Sequence, residues 1–224
     1  MDECGPALLY PSTISISDVA GVVSRVTVTL SGLHHTYPAD LDVLLVSPTG
    51  TAVLLMSQTG TSYDVTNVTL RIADGSPPLP STNRLVSGTY APTDYFGHPL
   101  TDNLFPSPAP PGPYGTALSA LSGINPTGVW SLYVRDAEDD DTGVFAGGWG
   151  LEIELRPVVS IYPATEICWS SQTNSRYQVE WAPSVDSTSW TSLGPAVQGT
   201  GSNVCVFDST RSGAVRFYQV RVVQ

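Results

Sequence analysis

The chain has 224 residues, a formal net charge of -11 and only 13% charged residues, and it contains 20 glycines and 19 prolines. A negative charge of this size repels phosphate backbones and anionic lipid, which argues against nucleic acid and membrane surfaces as partners. No segment approaches the roughly 18–20 consecutive apolar residues that a membrane-spanning helix needs. The low charge and the many turn residues favour an all-β domain of the extracellular type.

Strands are predicted in the first two-thirds of the chain wherever polar and apolar residues alternate or a short apolar run is bounded by turn residues. No stretch of ten residues has a helical period, and turn signals recur between the strands, which is typical of β-sandwiches. The predicted strands are residues 24–30, 41–47, 51–56, 68–72, 130–134 and 149–155.

Residues 74–113 interrupt this pattern because they are rich in proline, glycine and serine. Proline lacks the backbone N–H that regular helices and central strands require, so the segment is predicted to be a long ordered loop over the sheets. Its aromatic residues are expected to anchor it, namely Tyr90, Tyr95, Phe96, Phe105 and Tyr114.

Arg156 and Pro157 end the last of these strands, and a domain boundary is predicted there. The remainder again shows short β segments, at residues 167–169, 177–181, 204–207 and 216–223. The sequence therefore predicts two all-β domains, residues 12–156 and 157–224. The first four residues have neither the basic start nor the apolar core of a signal peptide, which leaves a cytosolic protein or a piece of a longer secreted chain. The composition favours the second, and we expect a piece of a longer secreted chain.

The three cysteines are Cys4, Cys168 and Cys205, and no C-x-x-C spacing suggests structural zinc. Cys168 and Cys205 both lie in strand-like segments of the small second domain. A disulfide between them would stabilise that domain, and two buried free thiols are the alternative. Cys4 has no evident partner.

Five carboxylates occur within residues 136–141, between two predicted strands. Calcium takes six to eight oxygen ligands from carboxylates, carbonyls and water, and a loop between sandwich strands can supply them. Asp136, Asp139 and Asp141 are the predicted ligands, with Asp40 and Asp42 as further candidates. The alternative is a solvated acidic hairpin tip, with Asp40 in a turn stabilised by its own backbone.

Gly60, Thr61 and Ser62 match the nucleophile tripeptide of subtilisin-like serine proteases, but the residues that follow favour a strand instead of a helix. A catalytic triad needs a histidine oriented by an acid beside the serine. No motif around His34, His35 or His98 provides that context. The sequence therefore predicts that this chain is not an enzyme.

Several separated motifs carry a resemblance to a known family. They occur in the order His35–Leu41, Leu44–Thr51, Pro110–Gly115, Leu118–Gly123, Asn125–Leu132, Val134–Asp136, Asp141–Gly143 and Gly147–Leu151. The series resembles the P domain (P/Homo B domain) that follows the catalytic domain of kexin- and furin-like proprotein convertases, in its bacterial branch, and spans about residues 12–156.

The resemblance implies a jelly-roll-like β-sandwich without catalytic residues, from a secreted or cell-surface protein. In convertases, this domain packs on the subtilisin-like domain and supports its folding, stability and calcium dependence. The implied partner is therefore a neighbouring domain of the parent protein. The remaining segment resembles a short fibronectin-type-III-like domain, on the basis of Trp169, residues 177–181, Trp190 and residues 216–222.

A stand-alone module that binds a carbohydrate or a protein is the alternative function. Such a module needs exposed aromatic or apolar side chains and no neighbouring domain. Most tryptophans occupy predicted core positions, which leaves Trp190 and Tyr95 as the loop candidates for a sugar platform.

Overall fold

The structure is a computed structural model of the chain, and it describes residues 4–95, 105–209 and 215–223. Strands make up 49% of the structure and helix 3%, which confirms the predicted all-β sandwich class. The chain divides into two compact units, Met1–Val158 and Val159–Gln224. Phe96 and His98 lie outside the described residues.

No helix within the described ranges has the length and apolar character needed to cross a membrane.

The first unit contains two sheets in its described part. In the first sheet, β9 pairs with β4 on one side and with β1 and β2 on the other. Beyond β4, the sheet continues with β5 and then β8. In the other, β3 lies between β6 on one edge and β10 and β11 on the other, and β7 follows β6. The strands are β1 (Gly5–Pro6), β2 (Ser12–Ile16), β3 (Val22–His35), β4 (Leu41–Val46), β5 (Ala52–Ser57), β6 (Val65–Ile72), β7 (Gly88–Tyr90), β8 (Thr93–Asp94), β9 (Gly128–Asp136), β10 (Gly143–Phe145) and β11 (Trp149–Arg156), with 3-10 turns at Pro38–Asp40 and Leu118–Leu121.

The main core of this unit is formed by inward-facing side chains of both sheets. Trp130 of β9 is fully buried, and its indole Nε1 donates a hydrogen bond to the Pro126 carbonyl at 2.9 Å. The long strand β3 contributes Val26, Val28 and Leu30 to the same cluster. Burial of these large side chains supplies the apolar contact that holds the two sheets together.

A second apolar cluster lies on the outer face of the β9–β4–β5 sheet. Alternate residues of a strand point to opposite faces, so Leu44 and Val46 point away from the main core. The proline-rich segment covers them with Phe105, whose ring meets that of Tyr114 with centroids 5.7 Å apart. The buried members of the cluster are Leu44, Val46, Leu54, Phe105 and Tyr133.

The second unit contains a two-stranded sheet and a four-stranded sheet. In the four-stranded sheet, β13 pairs with β17 along its length and with β14 and β15 at its two ends. Its buried apolar residues, among those described, are Tyr177, Val179 and Ala182. The strands are β12 (Ala164–Ser170), β13 (Arg176–Ala182), β14 (Thr191–Ser192), β15 (Val197–Gln198), β16 (Asn203–Ser209) and β17 (Phe217–Val223).

Asp208 forms a polar centre in this small unit. It is buried, and it accepts hydrogen bonds from Arg216 at 2.6 Å and from the Tyr218 hydroxyl at 2.9 Å. The Arg216 guanidinium also lies 4.1 Å from the centroid of the Trp181 ring. Pairing and hydrogen bonding compensate the cost of burying this charge.

Candidate functional site

The predicted acidic residues cluster at one end of the first unit. Strand β3 ends there at His35, the 3-10 turn leads into β4, and β9 ends at Asp136 opposite Leu41. The hairpin between β9 and β10 folds back onto β3, where Gly143 pairs with His35. Sequence segments about one hundred residues apart therefore meet at this end.

A β-bulge in β3 decides which of the two adjacent histidines faces the interior. The register of β3 against β6 shifts between Leu30 and Leu33, and Gly32 has a φ of +64°. Such a bulge adds one residue, so the inward positions change from even to odd numbers. His35 is consequently buried, with 4% of its surface exposed, whereas His34 is half-buried.

His35 is held in one orientation and one tautomer. The backbone N–H of Tyr37 donates to its Nδ1 at 3.0 Å, so Nδ1 is an acceptor and the proton is on Nε2. Nε2 lies 3.2 Å from Oδ2 of Asp136. A Cβ built on Gly143 would overlap the His35 ring, which explains glycine at this position.

Asp136 is the inward-facing acid of the cluster. Its side chain is 2% exposed, and its Oδ1 accepts no hydrogen bond from a described residue. Buried polar atoms nearly always have a partner in native proteins. The orphaned Oδ1 is therefore the most unusual polar atom at this end of the unit.

Asp40 and Asp141 form a second acidic pair nearby. Burial is the main cause that raises the pKa of Asp40 to about 6, and the charges of Asp141 and Asp136 and a hydrogen bond with Asp141 add to it. The Thr36 hydroxyl donates to Asp141 at 2.8 Å and holds that carboxyl group in place. The carboxyl groups of Asp40 and Asp141 are thus brought together by contacts across the chain.

The other two predicted calcium ligands are separated from this pair. Asp42 points to the outer face of its sheet, where Arg135 lies 3.9 Å from its Oδ2. Asp139 is exposed and accepts a hydrogen bond from the Cys4 backbone N–H at 2.6 Å.

A metal site needs several ligand atoms close together. Within the described residues, one set of three possible metal ligands has its ligand atoms within 4.8 Å of one another, and this set lies in the second unit. It consists of Glu166, Cys168 and Cys205, and the two cysteines are bonded to each other. The five predicted aspartates are thus divided between separate positions.

Asp42 gives the first unit a specific pH dependence. Burial raises its pKa to about 6, even though the Ser57 hydroxyl and Arg135 favour the charged form. A carboxyl group with a raised pKa in the folded state stabilises the fold fully below about pH 4, and this stability is lost as the pH rises through about 6. A shift of about two pKa units corresponds to about 3 kcal/mol.

We therefore expect the Asp42→Asn variant to lose less stability between pH 5 and pH 7.5 than the unmodified protein, by about 1.4 kcal/mol. Calorimetric melting of the first unit at both pH values measures this difference. Parallel pH profiles of the two proteins would contradict the assignment.

The Gly60–Ser62 segment has a local structural explanation. Gly60 has a φ of +89°, and a Cβ there would lie 2.9 Å from Cγ of Leu85, so the turn requires glycine. Ser62 is exposed in this turn before β6.

Cys168 and Cys205 are joined by a disulfide, and they are directly opposed in the β12–β16 pair with Cα atoms 4.2 Å apart. Both residues are exposed, so the bond lies on the outer face of the two-stranded sheet. Cys4 is a free, exposed cysteine.

The His35–Asp136 pair is the part of this site that the sequence did not reveal. The two residues are about one hundred positions apart, and only the bulge at Gly32 turns His35 inward. The available signal is the glycine between Leu30 and Leu33, because a glycine inside a strand pattern often marks a bulge.

No curated protein and no solved structure gives a significant match to the chain. One family model does match, over residues 23–75. This segment includes nearly all of β3 and the whole of β4, β5 and β6, and so contributes to both sheets of the first unit. The matching family is the proprotein convertase P-domain.

Proposed function

We propose that this chain is a non-catalytic accessory region of a larger secreted or cell-surface bacterial protein that carries a subtilisin/kexin-like serine endopeptidase domain. Its role is to support the folding and stability of that neighbouring domain by packing against it. The observation that carries the proposal is the match of residues 23–75 to the proprotein convertase P-domain.

The state of His35 supports a role without catalysis. A general base needs a ring nitrogen with a free lone pair next to the proton that it removes. Nδ1 of His35 is occupied by the Tyr37 N–H, and Nε2 carries the proton and lies 3.2 Å from Oδ2 of Asp136. Neither nitrogen is available to activate a serine.

For the second unit we propose a short fibronectin-type-III-like module. Its division into a two-stranded and a four-stranded sheet supports this, as does the Trp169–Tyr177 ring contact at 5.7 Å. The module would extend the accessory region beyond the P-domain sandwich.

Calcium is the proposed cofactor, held by Asp40 and Asp141 at the end of the first sandwich. Two adjacent carboxyl groups repel each other when both are charged, and the raised pKa of Asp40 reflects this repulsion in addition to burial. A divalent cation would replace the shared proton and remove the repulsion. Hard oxygen donors of this kind suit calcium. The proposed ligand set does not include Asp136, which pairs with His35, or Asp42, which lies on the outer face of its sheet.

We expect calcium to raise the melting temperature of the first unit relative to the same protein in EDTA. A ligand at one hundred times its Kd stabilises by about 2.7 kcal/mol, or roughly 5–10 °C for a unit of this size. Differential scanning calorimetry measures the shift. Asp141→Asn should abolish it, and Asp186→Asn, in an exposed loop of the second unit, is the matched control. Identical melting in calcium and EDTA would remove calcium from the proposal.

The accessory role is tested by co-expression with a subtilisin/kexin-like catalytic domain that lacks its own P domain. We expect a higher yield of soluble, active protease with this chain than without it. Unchanged yield together with saturable binding on a glycan array would favour the stand-alone binding module instead. Peptide cleavage by the purified chain that Ser62→Ala abolishes would contradict the non-catalytic assignment.

A further inference from the structure

A cavity of about 300 Å³ opens at the acidic end of the first unit, between its two sheets. This volume is at the lower end of the range for small-molecule sites. Its walls are mainly apolar and come from β3, β4, β9, β10 and β11. The principal wall residues are Leu33, Leu41, Leu132, Val134, Phe145 and Trp149.

The cavity changes in character from its rim to its floor. At the rim, Leu8 is 97% exposed, Leu9 70% and Val144 55%. The polar residues that line it at depth are His35 and Asp136, which are 4% and 2% exposed. The cavity therefore leads from exposed apolar side chains to a buried polar pair.

The floor of the cavity lacks a hydrogen-bond donor for one oxygen. The single proton of His35 is on Nε2, which lies 3.2 Å from Oδ2 of Asp136. The Trp149 indole N–H donates to the Ser12 hydroxyl at 2.9 Å. Oδ1 of Asp136 remains buried and without a partner among the described residues. Among the residues that the structure describes, no lysine or arginine lines the cavity beside its acidic side chain, Asp136.

We propose that this cavity binds a small organic ammonium ion, an apolar body with one primary ammonium group that donates to Oδ1 of Asp136. The apolar walls would bury the body, and the net charge of -11 favours a cation over a neutral or anionic ligand. The chain contains no lysine, so no ε-ammonium of its own can take this position. The cavity would hold about ten water molecules at liquid density, which corresponds to a ligand of about ten non-hydrogen atoms.

A second depression, of about 620 Å³, lies in the second unit, but it does not combine apolar walls with a buried acidic side chain. Among the described residues of its lining, the charged one, Arg176, is exposed, and none is a buried charged side chain. The lining residues are Thr173, Asn174, Arg176, Gln198, Gly199 and Val223.

The test is calorimetric titration of the full chain with 2-phenylethylamine, 2-phenylethanol and 3-phenylpropanoate at neutral pH. These probes have similar apolar bodies and differ in the charge of the polar group. We expect the amine to bind with a Kd of about 0.1–1 mM, which is reasonable for a ligand of this size. The alcohol should bind about tenfold more weakly, because its hydroxyl can donate to the Asp136 carboxylate but lacks the positive charge that strengthens the hydrogen bond from the ammonium group. The carboxylate should not bind.

Two variants connect binding to this cavity. Asp136→Asn should weaken amine binding about tenfold, since the charge is lost. Leu9→Arg changes an exposed rim residue and leaves the buried pair intact, and its guanidinium should weaken amine binding at least about fivefold by repulsion. Val86→Arg adds the same charge at a position that is 57% exposed and does not line the cavity, so binding should be unchanged.

The proposal is overturned if the amine gives no binding signal at about 5 mM, well above the expected Kd. It is equally overturned if the alcohol binds as tightly as the amine. Amine binding that Leu9→Arg and Val86→Arg weaken to the same degree would indicate non-specific attraction to the acidic surface. Because Leu9→Arg does not touch the core, this comparison holds even if Asp136→Asn fails to fold.

Discussion

Replacement of His35 by alanine is expected to lower the free energy of unfolding of the first unit by about 3–5 kcal/mol, because the buried Asp136 carboxylate would be left without its partner. His35 and Asp136 are 4% and 2% exposed, and the Nε2–Oδ2 distance is 3.2 Å. Without the imidazole, the buried Asp136 carboxylate would lose the ring nitrogen that lies beside its Oδ2. The space left beside Gly143 would add the effect of a cavity.

Urea unfolding of the first unit, with tryptophan fluorescence as the readout, measures this loss. His34→Ala is the matched control, because His34 is the half-buried neighbour on the other side of the strand, and we expect less than about 1 kcal/mol there. A double replacement, His35→Leu with Asp136→Leu, should recover much of the stability, since apolar residues can substitute for a buried pair. Equal losses for His35→Ala and His34→Ala would contradict the assigned pairing.

Removal of the Cys168–Cys205 disulfide is expected to unfold the second unit near physiological temperature. The bond joins residues separated by 37 positions, and the chain-entropy model assigns about 4 kcal/mol to a loop of this length. The unit spans Val159–Gln224, and a domain this small has little stability to lose. Both cysteines are exposed, so a reducing agent can reach the bond in the folded protein.

The measurement is calorimetry of the Cys168→Ser, Cys205→Ser double variant beside the unmodified protein, with Cys4→Ser as the control. One of two melting transitions should disappear or fall by more than about 10 °C, since about 1 kcal/mol corresponds to roughly 4–8 °C for a domain of this size. The transition of the first unit should be unchanged in all three proteins. If both transitions persist at their original temperatures, the disulfide contributes little to stability.

These expectations assign different kinds of stabilisation to the two units. The first unit has an extensive apolar cluster that includes fully buried Trp130 and Leu30, and its weak point is one buried polar pair. In the second unit, the buried apolar residues described are Tyr177, Val179 and Ala182. A covalent link and the Asp208 network compensate there for a small core.

The all-β class and most of the long strands could be predicted from the sequence because their signal is local. Residues 24–30 alternate between polar and apolar side chains, and this segment lies within β3. The proline-rich segment 74–113 was expected to exclude central strands, and β7 and β8, which form within it, lie at sheet edges. The short strands β1, β2, β10, β14 and β15 were not predicted, since two to five residues carry too little periodicity.

The acidic residues illustrate what local pattern leaves undecided. A run of carboxylates at residues 136–141 indicates that charge will be concentrated, but not which members will meet. Asp141 reaches Thr36 across about one hundred residues, and Asp42 is separated from Asp136 because the two side chains lie on opposite faces of one sheet. Both outcomes depend on the register in which the strands pair, and this register cannot be read from one local segment of the sequence.

The amino-acid pattern alone was enough to establish a charge-poor, acidic, all-β chain and to identify the cysteine pair and the acidic segment as features of interest. Which histidine is buried, which acid it meets and which oxygen is left without a donor depend on the tertiary structure. One extra residue at Gly32 exchanges the inward and outward positions of the residues that follow it in β3. The partner residue, Asp136, lies on β9, which is distant in sequence. A strand's side-chain period is two, so a single-residue shift exchanges interior and surface, and only the assembled sheets determine where it falls.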